Sequence, residues 1–307
     1  MMGHLFQANK QLLEKRWPAL GRGLPAMAET VELTKRSDGF FQARCVGDRG
    51  EYTLSHQADL AHSLYAFRGE MRKGLLSGAD LFFLLGMGLG EKWRGAWETL
   101  EHYQDGFLVV LEESMDVVSA ACRATDLRAV FSSPRVELIV SKPLEEEVRH
   151  AIRERSWFGA KKSLFYWGYD VKNPASQPAY DDLAQNLRQF IAAEQDFFLG
   201  QWKSWIERKR QPFSQPSRRT VIKVHCGFHS QLQADLIKPF SDTENTVISL
   251  SSQTYISPTY LMQQFILHDP DELVWVNEDN PGRWFPPNVF SSLPLSSVFI
   301  RESSDLG

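Results

Sequence analysis

Residues Leu81-Phe82-Phe83-Leu84-Leu85 form an unbroken apolar run, and Gly86-Met87-Gly88-Leu89-Gly90 follows it directly. A strand with one wet face alternates apolar and polar residues. Five apolar residues in succession need cover on both faces, which the interior of a parallel sheet supplies. The rest of the pattern agrees with that requirement. A helical stretch runs over 91–103, a turn falls at Asp105-Gly106, and a second apolar run spans Phe107 to Leu111. A helix near 115–124 and a third strand, Val136 to Val140, complete a β-α-β-α-β alternation, which closes right-handed into a parallel sheet. The helix after Leu144 places acids in its first turn and bases in its last, matching the helix dipole.

The flanks divide the chain further. Residues 5–16 read as an amphipathic helix ended by Trp17-Pro18, and 30–54 as small antiparallel strands separated by SDG and GDRG turns. A helix over 56–73 completes an N-terminal α+β unit, 1–78. The stretch 157–180 reads as irregular, and a long helix covers 181–210 with an apolar stripe that includes Trp202 and Trp205. Basic, proline-bearing residues 209–219 read as a linker. Alternation then restarts: strands at 220–224, 246–250 and 273–276, helices at 229–240 and 258–268, and a final apolar run at 298–300. The expected fold is α/β: a Rossmann-like parallel sheet at 79–215, with the small N-terminal α+β unit before it. A second, smaller and incomplete α/β unit occupies 216–307.

Composition narrows the partners. Thirty-four Lys and Arg against 38 Asp and Glu leave a net charge of −4, which removes the electrostatic basis for nucleic-acid or acidic-membrane binding. The longest apolar stretch, Leu81 to Leu89, carries two glycines and is too short to span a bilayer. The N-terminal residues mix charges and amides with apolar side chains, and no small-residue cleavage site follows. A soluble, cytoplasmic protein is expected. Cys45, Cys122 and Cys226 are far apart with no CxxC, so neither a disulfide framework nor a cysteine-rich zinc site is expected.

The glycine turn is the first place to look for chemistry. Gly86, Gly88 and Gly90 stand between strand and helix, where glycine admits positive φ and a ligand can approach backbone and helix amides. Glu112 and Glu113 end the next strand, where a carboxylate can accept hydrogen bonds from ribose hydroxyls. GxGxG departs from the GxGxxG dinucleotide fingerprint, and Glu91 would repel a pyrophosphate, so an adenosine-type ligand such as S-adenosylmethionine fits the spacing better than NAD. The alternative is a tight turn without a ligand.

In the second unit, His225-Cys226-Gly227-Phe228-His229 ends the first strand and Asn277-Glu278-Asp279 the third. His225, Gly227 and Asn277 are candidate substrate contacts, because open α/β sheets bind ligands outside the carboxyl ends of strands. The two histidines lie four apart, but Gly227 and the turn between them argue against a shared metal, and none is expected. The chain has no GxSxG, Walker or HExxH pattern, so no nucleophile or general base is assigned.

The block from Leu81 through Val140 resembles the central domain of the motility accessory factor family, whose relatives include archaeal 6-hydroxymethylpterin diphosphokinases. Gly86, Gly88, Gly90, Glu112, Asp126-Leu127 and Pro134-Arg135-Val136 carry the resemblance. Glu113-Ser114 stands where that family has an acidic-proline pair. The stretch LHDPDELVWVNEDNPGRWF…LPLSSVFI is similar to the N-terminal α/β domain of CgeB-like spore-maturation glycosyltransferases. Together the resemblances imply a bacterial, glycosyltransferase-related protein with a nucleotide-sugar ligand. Such enzymes hold the donor mainly in a second α/β domain, which these 307 residues do not accommodate, so a fragment or a short chain is expected. An S-adenosylmethionine-dependent methyltransferase and a non-catalytic scaffold for a protein partner remain the other readings.

Overall fold

The computed structural model describes residues 2–26, 28–37, 39–47, 50–54, 60–103, 106–155, 157–160, 162–168, 177–209, 220–226, 246–252, 258–269, 272–277 and 296–301. Contacts divide the chain into two units, Met1–Ile191 and Ala192–Gly307.

The first unit opens with helices α1 (Met2–Arg16) and α2 (Pro18–Gly23). Trp17-Pro18 ends α1, and Pro18 also starts α2, a position where its missing N–H leaves no bond unmade. Strands β1 (Val31–Lys35), β2 (Phe41–Gly47) and β3 (Gly50–Leu54) form an antiparallel sheet in that order. Val31, Cys45 and Tyr52 share one row, and Leu33, Ala43 and Leu54 the next row on the same face. Val31, Ala43, Cys45 and Leu54 are buried, so this face is the covered one.

Helix α3 (Leu60–Leu76) leads into β4 (Leu81–Leu85), every residue of which is buried. The chain continues through α4 (Glu91–Leu100), β5 (Phe107–Glu112), α5 (Met115–Ala124), α6 (Arg128–Ser132), β6 (Val136–Val140) and α7 (Leu144–Glu154). A 3-10 turn at Trp157–Gly159, β7 (Ser163–Trp167) and α8 (Gln177–Lys209) follow. Strands β4 to β7 are all parallel, in the order β6-β5-β4-β7. That is the Rossmann-like arrangement, reversing beside its first strand.

Strand β7 corrects the reading of 157–180 as irregular. Ser163-Leu164-Phe165-Tyr166-Trp167 has no alternation because both faces are packed: Phe165 stacks on Phe83 at 4.7 Å, and Tyr166 stacks on Phe82 at 6.3 Å. A run of three aromatics in a Trp- and Tyr-rich stretch does not separate strand from loop by periodicity.

Helix α1 is stitched into the Rossmann-like unit. Asn9 is fully buried. Its Nδ2 donates to the carbonyls of Cys122 at 2.9 Å and Thr125 at 2.8 Å, and its Oδ1 accepts from the Leu127 amide at 3.1 Å. The Arg16 guanidinium donates to the carbonyls of Phe131, Ser133 and Val136. Trp17 Nε1 donates to Glu137 Oε1 at 2.8 Å, and Arg155 pairs with the other oxygen. Buried polar groups satisfied this completely fix one arrangement of the elements they join.

The division between units falls inside α8. Its first half buries Leu183, Ala184, Leu187 and Ile191, and sets Arg188 over the Phe165 ring at 4.7 Å. Its last turns belong to the second unit, where Trp202, Trp205 and Phe265 stack and Trp205 Nε1 donates to Asp269 Oδ1 at 2.9 Å.

That unit contains β8 (Thr220–Cys226), β9 (Thr246–Ser252), α9 (Pro258–His268), β10 (Glu272–Asn277) and β11 (Ser296–Arg301). Its four strands are parallel, in the order β11-β10-β8-β9. The expected helix at 229–240 and most of the linker, from 210 on, lie outside the described residues. Among the described residues no helix is long and apolar enough to cross a membrane.

Candidate functional site

Strand β4 is the first strand of its sheet, yet it lies between β5 and β7. The connections to those neighbours leave in opposite directions, which opens a crevice at the carboxyl end of β4. The glycine turn occupies that end. Gly86, Gly88 and Gly90 take φ values of 77°, 58° and 90°, in the left-handed region where a side chain is strained. Between them Met87 and Leu89 are fully buried and anchor the turn to the core. Gly90 caps α4 with no side chain, so the cap supplies no oxygen for the first amides of that helix.

The turn is held from three sides. Glu112, only 1% exposed, accepts from the Met87 amide through Oε2 at 2.9 Å. Its Oε1 accepts from the amides of Glu113 at 2.9 Å and Ser114 at 3.0 Å. Thr125 Oγ1 donates to the Leu89 carbonyl at 2.7 Å, and the Thr125 carbonyl is itself held by Asn9. On the third side lies Gly168, whose amide continues the ladder by donating to the Leu85 carbonyl at 2.8 Å. A Cβ on Gly168 would lie 1.8 Å from the Gly86 carbonyl oxygen, and one on Gly88 would lie 2.9 Å from the Gly168 oxygen. Backbone packs on backbone here because no side chain intervenes.

The predicted residues Gly86, Gly88, Gly90 and Glu112 therefore come together, and Glu112 has a defined role: its carboxylate organises the turn. Glu113, half-buried at the same strand end, is the more accessible of the two acids. Sequence reasoning passed over three neighbours. Gly168 closes the turn. Lys92 in the first turn of α4 donates from Nζ to the Trp167 carbonyl at 3.2 Å, placing a cation beside the crevice. Tyr52 of β3 is the third: the charges of Glu112 and Glu113 both act on its hydroxyl. A glycine after an aromatic strand was the only signal for the first of these, and nothing in the sequence pointed to the other two.

Burial pushes the Tyr52 hydroxyl up, with the neighbouring Cys45 and Glu112 adding to the effect. Burial, then the Glu112 charge, pushes the Cys45 thiol up to about 12. Burial alone raises Cys122, also to about 12. A raised thiol value means that the native state favours the protonated form. The stabilisation is complete below the ordinary value of 9.0 and is lost as pH rises towards 12. Thiolate is the reactive species. In a Cys226→Ser protein at pH 8, Cys45 and Cys122 are therefore expected to stay unmodified by a chromogenic disulfide reagent until denaturant is added, when both react. Immediate modification of either would contradict their burial.

In the second unit, His225 is the last residue but one of β8 and Asn277 the last of β10, and the backbones of these strands are neighbours in register: Val276 pairs with His225 and Asn277 with Cys226. Gly227 lies outside the described residues. Among the described residues no group of three or more His, Cys, Asp or Glu comes together in a way that could hold a metal ion. No protein-family model, curated protein or solved structure matches the chain.

Proposed function

We propose that the first unit binds a nucleotide-type small molecule at the Gly86–Gly90 turn, within a glycosyltransferase-related protein of the motility-accessory type. The observation that carries this reading is the position of the turn: it stands where the strand order reverses and immediately before α4. Ligands of open α/β sheets bind at that place. The backbone around Gly86, Gly88 and Gly90 offers close approach, Lys92 offers a cation, and Glu113 offers an acceptor for ribose hydroxyls. The glycosyltransferase class rests on the sequence resemblance, and the chain's catalytic residues are not assigned.

A methyltransferase using S-adenosylmethionine is the second reading. Glu91 in the first turn of α4 favours it, since a carboxylate there suits a ligand without phosphate near the turn. The continuation of the chain disfavours it: after β7 the sheet gains no further strand among the described residues, and the 33-residue α8 follows. A non-catalytic scaffold for a partner protein is the third.

Calorimetric titration with nucleotide sugars, S-adenosylmethionine and pterins separates the three. A nucleotide sugar is expected to bind, and Glu113→Gln to weaken it about tenfold, which corresponds to the loss of a charge-assisted hydrogen bond. Binding of S-adenosylmethionine alone would replace the transferase reading by the methyltransferase. Silence from every ligand would leave the scaffold.

A further inference from the structure

The glycine turn is gripped at two points by residues from the two ends of one helix. Glu112, just before α5, accepts the Met87 amide at 2.9 Å, and Thr125, which caps the carboxyl end of α5, donates from Oγ1 to the Leu89 carbonyl at 2.7 Å. The Leu89 carbonyl shares its peptide plane with the Gly90 N–H, which donates to the Met87 carbonyl at 3.2 Å. Gly88, just before Leu89, and Gly90, at the far end of that plane, take φ of 58° and 90°. Glycine backbone turns at little steric cost unless its polar groups are held. Gly90 is also the residue from which α4 starts, so the orientation of this plane sets where the open amides of α4 point.

Thr125 itself is held from outside its helix. At Thr125 the backbone is already extended, because α5 has ended. The hold comes from α1. Asn9, fully buried, donates through Nδ2 to the Cys122 carbonyl, one of those left open at the end of a helix, and to the Thr125 carbonyl. Its Oδ1 accepts the Leu127 amide. Leu127 and Thr125 are in turn the side chains that press on Gly90: a Cβ there would lie 3.2 Å from Leu127 Cδ2 and 3.3 Å from Thr125 Cβ. One side chain of the N-terminal helix thus fixes both residues that shape the Leu89–Gly90 segment. Asn9, Thr125, Leu127 and Leu89 are all buried, where bulk water does not replace a lost bond.

We propose that Asn9 and Thr125 are positioning residues of the glycine-turn site, and that α1 governs ligand affinity there by holding the Leu89–Gly90 peptide in its binding orientation. The proposal rests on the reading of the Gly86–Gly90 turn as a ligand site. The coupling is reciprocal: a ligand that favours this orientation of the peptide also tightens the docking of α1.

The test is calorimetric titration of the full chain with UDP-glucose and with S-adenosylmethionine, beside hydrogen exchange. Thr125→Val keeps the shape but loses the donor. It is expected to weaken whichever probe binds the wild type about tenfold, and Asn9→Ala about fivefold. Thr125→Ser, which keeps the hydroxyl, is expected to bind as the wild type does. Leu13→Ala is the control: Leu13 is fully buried on α1, one turn after Asn9, and its loss lowers stability without touching the path. Its affinity should stay at the wild-type value. Without ligand, the Gly90 amide is expected to exchange faster in Thr125→Val and Asn9→Ala than in Leu13→Ala. With ligand, exchange across α1 should slow in the wild type and not in Thr125→Val. Affinity that Thr125→Val leaves unchanged overturns the proposal. So does a Leu13→Ala protein weakened as much as the Thr125 variant, since stability would then be the cause. Should neither probe bind the wild type, the nucleotide reading fails and takes the affinity claim with it. Gly90 exchange then decides the path alone: faster exchange in both variants keeps the hold of α1 on the turn, and unchanged exchange sinks it. Circular dichroism establishes folding, and should Asn9→Ala not fold, the valine and serine variants decide.

Discussion

Replacing Glu112 with alanine is expected to destabilise the first unit by roughly 4 kcal/mol. The carboxylate is 1% exposed and accepts three backbone amides, those of Met87, Glu113 and Ser114. Removing it orphans all three donors at once, and each buried donor without a partner carries a desolvation penalty of about 1–3 kcal/mol. Water entering the vacated space recovers part of that, which is why the total falls below the sum. Glu112→Gln separates charge from geometry. A glutamine oxygen can still serve Glu113 and Ser114, while its amide would face the Met87 N–H donor to donor, so a loss of about 2 kcal/mol is expected. Urea unfolding followed by circular dichroism gives the magnitude. Hydrogen exchange gives the location, with accelerated exchange expected at Met87, Glu113 and Ser114. Native-like exchange at those amides in Glu112→Ala would mean that something else holds the turn.

Gly168→Ala is expected to cost about 3 kcal/mol, the scale of an overpacked core. The added Cβ would fall 1.8 Å from the Gly86 oxygen and 2.7 Å from the Gly86 carbonyl carbon. Both atoms are backbone, so no side chain can swing away. Either β7 slides off β4 at its carboxyl end or Gly86 abandons its left-handed geometry, and both changes open the crevice. A matched control is available in Gly69, in the middle of α3, where a Cβ would meet nothing within 4 Å. Gly69→Ala should stabilise by about 0.5 kcal/mol through helix propensity alone. Thermal unfolding of the two proteins should therefore move in opposite directions. A stable Gly168→Ala protein would refute the close packing of the two strand ends.

The parts of the fold that could be read in advance are those with local causes. Leu81-Phe82-Phe83-Leu84-Leu85 could only be a doubly covered strand, and β4 is one. The strands at 107–111 and 136–140 and the helix at 115–124 fell within a residue or so of their observed ends, because apolar runs bounded by Gly and Asp leave little choice. Strand β7 was missed because its aromatics face packed neighbours on both sides and show no period. The stitching by Asn9 could not be read at all: its three partners lie more than 110 residues away in sequence, and nothing at position 9 announces them. The site divides in the same way. The glycines declare their backbone freedom locally. Whether Glu112 faces a ligand or the turn depends on three amides arriving from two different segments, which only tertiary geometry decides.

The order of the first sheet has a consequence for how the chain is made. Strand β4 needs β7 on one flank, and β7 is complete only at Trp167. While a ribosome is still adding the residues between, β4 and β5 can pair, but the other margin of β4 stays bare: five apolar residues with open hydrogen-bonding groups. Such an edge invites foreign strands. Pairing across this sequence distance also slows closure, since the loop entropy precedes the gain. The hazard of this architecture thus belongs to synthesis, and nascent-chain aggregation should fall sharply once the segment through Trp167 has emerged.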